Sequence, residues 1–224
     1  MSFTYEDKHP DSLYVDKIWH THTTSDGVFT AGLDGNWDII ISRVDGKARV
    51  TVNGIGKHAV QVPYVAGIDS VGIALKPGVF LRDIKGKDIV DSQRTLSKGD
   101  IAYVDIGGRS FKIPDFDSAE VFVDELISND ILLVNSVVSS LSNDHVNGVS
   151  DRSLRRHTMG TTGLSPYFFH QIQRAQHATQ LLQQGTPIAQ VAIEAGYTDQ
   201  AHMTKAVKAL MGLTPAQIVA RSKQ

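Results

Sequence analysis

The strongest constraint on this chain is a repeat near its C-terminal end, at a separation of 49 residues. Ser150, Leu154, Arg156 and Gly163-Leu164-Ser165-Pro166 recur as Asp199, Met203, Lys205 and Gly212-Leu213-Thr214-Pro215. Each position has a mechanical reading. Ser150 and Asp199 carry side-chain oxygens that can cap a helix start. Leu154 and Met203 turn an apolar face inward, and Gly163 and Gly212 suit the left-handed residue that ends a helix. Ser165-Pro166 and Thr214-Pro215 then open the next helix with a cap and a first-turn proline. Two copies of one helix, turn and helix are therefore predicted.

The second copy is preceded by a matching element. Thr186-Pro187 opens a helix with Ile188, Val191, Ala192 and Ala195 on its inner face, and Gly196 makes the turn. The helix begun at Asp199 then shows Gln200, His202, Thr204, Lys205 and Lys208 outward, residue types that bond base edges or phosphates. Between the copies lies Pro166–Gln184, closed by Gly185, with Phe168, Phe169, Ile172, Ala175, Leu181 and Leu182 at helical spacing. Such a helix is roughly 28 Å long, near the ~34 Å of one DNA turn. Charge points the same way. From Gly148 onward eight Lys/Arg face three acids, so this stretch carries +5 and the rest −7 of the net −2. A basic end on an acidic body suits a polyanionic partner.

Gly196-Tyr197-Thr198-Asp199-Gln200-Ala201-His202-Met203 followed by Gly212-Leu213-Thr214-Pro215 resembles the signature of the AraC/XylS family of transcription regulators. The similarity covers about 149–220, a third of the chain. It implies a seven-helix domain placing two recognition helices in successive major grooves of double-stranded DNA. The base-facing set implied is Arg152, Arg155 and Arg156 in the first unit, with Gln200, Ala201, His202 and Lys205 in the second. It also implies a small-molecule effector, and RNA polymerase as a partner where the regulator activates; a homodimer is expected because two half-sites multiply affinity, although no coiled-coil heptad is present. The first unit has Thr158, Gly160 and Thr162 where packing or helix propensity favours other residues, which predicts a looser helix.

The first half reads as strands. Alternation marks Trp37–Val44 and Ala48–Val52, joined by a tight Asp45-Gly46 turn. Further strands are expected at Tyr14–Thr21, His58–Val62, Val71–Leu75, Ile101–Val104 and Arg109–Ile113, with a short helix at Val79–Ile84. Beyond Asp117 no strand is expected. Ser118 caps a helix through Ile127 with Val121, Phe122, Leu126 and Ile127 inward, and a second helix covers Ile131–Leu141. The predicted fold class is α+β in two domains: a β-rich, half-barrel-like sensing domain over 1–116 and an all-α domain over 117–224. The β-rich half is similar to the cupin-related sensor portions of some short family members. Trp19, His22 and Trp37 are the candidate effector-binding residues, since such pockets are mainly apolar and aromatic.

Other functions are narrowed by what the chain contains. Zero cysteines exclude disulfides and thiolate chemistry. No phosphate-cradling glycine loop or nucleophile elbow is present, so no enzyme activity and no cofactor are expected. His20-Thr21-His22 puts two imidazoles on one strand face, with Asp26 as a nearby carboxylate, but no second metal motif follows. The rival reading is a cupin-like metal-dependent enzyme, or a protein-sensing module, fused to a DNA-binding tail. No apolar run approaches ~18 residues and no secretory start is seen, so no membrane partner and a cytoplasmic location are expected.

Overall fold

The computed structural model describes residues 3–98, 102–141 and 148–222. In chain order the elements are β1 (Phe3–Lys8), β2 (Val15–Thr23), β3 (Gly27–Ala31), β4 (Asp38–Val44), β5 (Lys47–Asn53), β6 (Val60–Tyr64), β7 (Asp69–Leu75) and β8 (Val79–Leu81). A 3₁₀ turn (Gly86–Asp88) follows, then β9 (Gln93–Lys98), β10 (Tyr103–Ile106), β11 (Arg109–Lys112), α1 (Ala119–Ser128) and β12 (Leu132–Val134). The rest is α2 (Ser136–Leu141), α3 (Asp151–Thr162), α4 (Pro166–Gln183), α5 (Ile188–Glu194), α6 (Gln200–Met211) and α7 (Pro215–Arg221). The chain is thus β-rich first and helical from Ser136 on. Among the described residues no sheet closes into a barrel.

Contacts group the chain into two compact units. One comprises Met1–Gly27, Asn36–Ile55 and Pro63–Leu164; the other comprises Val28–Gly35, Gly56–Val62 and Ser165–Gln224. The first is built on an antiparallel sheet in the order β1-β2-β7-β4-β5-β9. Its β4–β5 turn is the expected one: Asp45 and Gly46 both have positive φ, 49° and 72°, the twist a two-residue hairpin needs. Register puts Ile18, Ile73, Ile39 and Val52 in one row across the sheet, all fully buried. Phe122 and Leu126 of α1 are buried in this unit too, with Phe122 edge-on to Phe111 at 6.3 Å.

The second unit is a helical core with two borrowed segments. Phe169, Ile172, Ala175, Ala178 and Leu182 line the buried stripe of α4 at helical spacing. Val191, Met203, Val207, Leu210 and Ile218 from α5, α6 and α7 are buried with them. Segments 28–35 and 56–62 join this core through the backbone. The Leu33 N–H donates to the Leu210 carbonyl at 2.9 Å, and the Ala59 N–H to the Ala209 carbonyl at 3.1 Å.

Four local expectations are corrected. Val79–Ile84 is not a helix: Val79–Leu81 is strand β8, paired antiparallel with Leu132–Val134. Ile131–Leu141 is accordingly not one helix but β12 followed by α2. The break falls at Asn135, whose N–H bonds the Gly78 carbonyl. Two short apolar runs some fifty residues apart found each other, and pairing at that distance leaves no local period. Val121 is 61% exposed rather than inward, because the buried stripe of α1 is Ala119, Phe122, Val123 and Leu126. Ser118 precedes α1 without a side-chain cap bond; its hydroxyl is engaged with Asp115. The expected strand start at Ile101 and most of the 143–149 connection lie outside the described residues.

His20 has an unusual setting in the first unit. Its Nδ1 lies 2.7 Å from Glu6 and its Nε2 2.7 Å from Asp69, so both nitrogens face carboxylates. Partial burial pulls its pKa down, but the two carboxylates outweigh this and hold it above the ordinary value of 6.5. A raised folded pKa means the imidazolium contributes stability fully below about pH 6.5, and the contribution fades as pH climbs through the raised value. We expect the urea midpoint to drop more between about pH 6 and pH 8 in the wild type than in His20→Gln. Equal drops would show that the cluster adds nothing.

Candidate nucleic-acid interface

The repeat holds at the level of atoms. The Ser150 hydroxyl accepts from the Ser153 N–H, and Asp199 from the His202 N–H at 2.7 Å. Ser165 and Thr214 cap α4 and α7 in the same way, each ahead of a first-turn proline. Gly163 and Gly212 end α3 and α6 with φ of 73° and 75°, where a side chain would be strained. Each copy is therefore a helix with defined ends.

On α3, Arg152, Arg155 and Arg156 are exposed, and the Arg156 guanidinium donates to Ser153 at 3.3 Å. The helix runs unbroken from Asp151 to Thr162. Thr158 and Thr162 are buried and donate to the carbonyls one turn back, Leu154 at 2.9 Å and Thr158 at 2.7 Å. They satisfy their own hydroxyls inside the helix, so small polar residues can sit at packed positions. Gly160 faces open space.

On α6, Gln200, Ala201, Thr204, Lys205 and Lys208 share one face and line a shallow depression of about 480 Å³. Met203 and Val207 face the opposite way and are fully buried. His202 is exposed, but its Nδ1 pairs with the Thr198 hydroxyl at 2.9 Å and its ring stands edge-on to Tyr197 at 5.3 Å. It thus helps to shape the turn. Sequence reasoning missed the other half of that turn. Arg174 of α4 lies over the Tyr197 ring at 4.3 Å and donates to the Gly196 carbonyl at 3.2 Å. Burial raises the Tyr197 hydroxyl's pKa and outweighs the lowering by the Arg174 guanidinium beside it. Only folding reveals that this arginine serves the turn.

The candidate effector residues are placed separately. Trp37 is 2% exposed, with its indole N–H unpartnered. Trp19 is half-buried and lies across Gly72, its register partner. His22 is exposed, 3.9 Å from Asp69. Among the described residues no group of three or more His, Asp or Glu is arranged to hold a metal ion. Nor is any described helix long and apolar enough to cross a membrane.

Residues 145–221 match the family model of a helix-turn-helix domain. No curated protein matches this chain. Among solved structures, a probable AraC family transcriptional regulator from Rhodopseudomonas palustris is 20% identical over 39% of this chain and 98% of that one, with a TM-score of 0.35. ToxT from Vibrio cholerae is 10% identical over 98% of each chain, with a TM-score of 0.46. A further ToxT structure, bound to (E)-4-(8-methylnaphthalen-1-yl)but-3-enoic acid, is 10% identical over 99% of this chain and 100% of that one, again at 0.46.

Proposed function

We propose that this chain is a DNA-binding transcription regulator of the AraC type, a reading supported by the helix-turn-helix domain matched over residues 145–221, that it reads an operator with both α3 and α6, and that it is controlled by a ligand bound in its β-rich half. The observation that carries the DNA reading is the capped pair of helices, each with a buried side and a basic, hydrogen-bonding exposed side. Between them in the sequence lies α4, an 18-residue helix about 27 Å long. The chain does no chemistry in this reading: it presents two helices or withholds them. RNA polymerase at an activated promoter and a second copy of the chain are its further partners, since paired half-sites multiply affinity.

The two helices should divide the labour. Three exposed arginines make α3 the main source of phosphate affinity, whereas Gln200 and Lys205 on the exposed face of α6 are residue types that hydrogen-bond base edges as well as phosphates. Arg156→Ala is expected to weaken binding to the operator and to scrambled DNA alike. Gln200→Ala with Lys205→Ala should relax discrimination by about 1–3 kcal/mol per lost base contact. Selection of bound sequences from a random pool, then competition with scrambled duplexes, measures both. If Arg156→Ala alone destroys discrimination, the roles are reversed.

The ligand reading has its own test. Trp19 is the accessible tryptophan and Trp37 the enclosed one, so an effector in the β-rich half should change the fluorescence of Trp19. A metabolite that shifts operator affinity should alter emission in the wild type and not in Trp19→Phe. An unchanged response in that variant would move the ligand away from this strand.

A further inference from the structure

The glycine that ends each DNA-reading helix is also where residues of the β-rich half meet it. For α3 the contact lies in the 3₁₀ turn. A Cβ built on Gly86 would stand 2.5 Å from both the Thr161 carbonyl oxygen and the Gly163 nitrogen, and Val90 packs against Gly163. Asn135 adds a directed bond, its side-chain amide donating to the Thr161 hydroxyl at 2.8 Å. For α6 the contact lies beside β3 and ahead of β6. Leu33 and Ala59 donate their N–H groups to the carbonyls of Leu210 and Ala209, which a helix end would otherwise leave without intrahelical partners. Thr30 and Ala59 pack on Gly212, and a Cβ on Gly32 would stand 3.2 Å from the Met211 Cα. Each set of contacts lies within a single compact unit.

We propose that Gly86 and Asn135 are positioning residues for α3, and that Gly32, Leu33 and Ala59 are positioning residues for α6. The inference rests on the DNA-binding reading and adds what aims the helices. None of these five residues need touch DNA. Each holds the C-terminal turn of a recognition helix, and a shift of 1 Å there displaces every side chain that the helix presents. A change in the 28–35 or 85–90 segment therefore reaches a reading helix directly. Gly86 and Gly32 both have ordinary backbone angles, so a side chain at either acts through crowding and not through strain.

The test is hydroxyl-radical footprinting of the full chain on its selected operator. Arg155→Ala and Lys205→Ala first assign which protected segment belongs to α3 and which to α6. Gly86→Val should then weaken protection of the α3 segment roughly fivefold, the scale of one lost hydrogen bond, and spare the α6 segment. Gly32→Val should do the reverse. Thr161→Val removes the Asn135 bond without adding bulk and should repeat the Gly86→Val result, while Thr161→Ser should keep the wild-type footprint. Should Gly86→Val fail to fold, the two Thr161 variants decide for α3; should Gly32→Val fail, Gly32→Ala, whose methyl meets the Met211 backbone at 3.2 Å, decides for α6. Variants that melt like the wild type yet weaken both segments equally, or neither, overturn the inference alone. A wild-type chain that protects no sequence overturns the DNA-binding reading and this inference together.

Discussion

Raising the salt from about 50 to about 200 mM is expected to weaken operator binding by roughly 500-fold. The basic groups facing outward on α3 and α6 are Arg152, Arg155 and Arg156 on the first and Lys205 and Lys208 on the second. If each displaces the counterion of one phosphate, log affinity falls with log salt at a slope of about −4.5. Arg174 is left out because its guanidinium is committed to Tyr197 and Gly196. The net charge of −2 cannot produce the effect, since the residues before Gly148 carry −7 and repel DNA. Only a local basic surface can. Arg156→Ala should reduce the slope by about one, and so should Lys208→Ala. Fluorescence anisotropy across a salt series measures all three slopes. A wild-type slope near zero would mean that these side chains do not meet phosphates.

Phe169→Ala should cost about 3–5 kcal/mol, the largest stability loss expected from a single truncation in the helical unit. Phe169 is fully buried one turn into α4 and close to Gly35, where a Cβ would meet its ring at 3.5 Å. Removing the ring leaves a cavity between the long helix and the 28–35 segment. A well-packed core of α4, α6 and α7 relaxes only partly into such a space. Tyr167, two residues earlier and 73% exposed, is the control, and its truncation should stay within about 0.5 kcal/mol. Urea unfolding of both variants gives the comparison. A Phe169→Ala cost under about 1 kcal/mol would show that the site collapses without penalty.

Much of the local physics was readable in the sequence. The caps at Ser150, Ser165, Asp199 and Thr214, the left-handed glycines at 163 and 212, and the Asp45-Gly46 turn each depend on a few neighbouring residues. A fixed backbone geometry accepts only certain side chains at such positions. The exposed face of α6 could likewise be read from period alone. The strand error came where a residue's partner is remote. Val79–Leu81 has enough apolar character for a short helix, and its strand partner at Leu132–Val134 leaves no mark nearby. Other misreadings were local: Ser118 bonds Asp115 and leaves α1 uncapped, and Thr158 and Thr162 look unfit for a packed position until their hydroxyls are seen bonding the carbonyls one turn back.

By itself, then, the sequence determined that this chain ends in two capped helix-turn-helix units with a basic face, because caps, turns and periodicity are short-range. Only the tertiary structure decided what aims those helices. The clasp of Arg174 on Tyr197, the press of Gly86 on the end of α3, and the bonds from Leu33 and Ala59 to the end of α6 join residues from 23 to 177 positions apart. Such contacts form through buried backbone groups and ring faces, which any of many residues could supply. They leave no signature in the order of amino acids and exist only once the chain has closed upon itself.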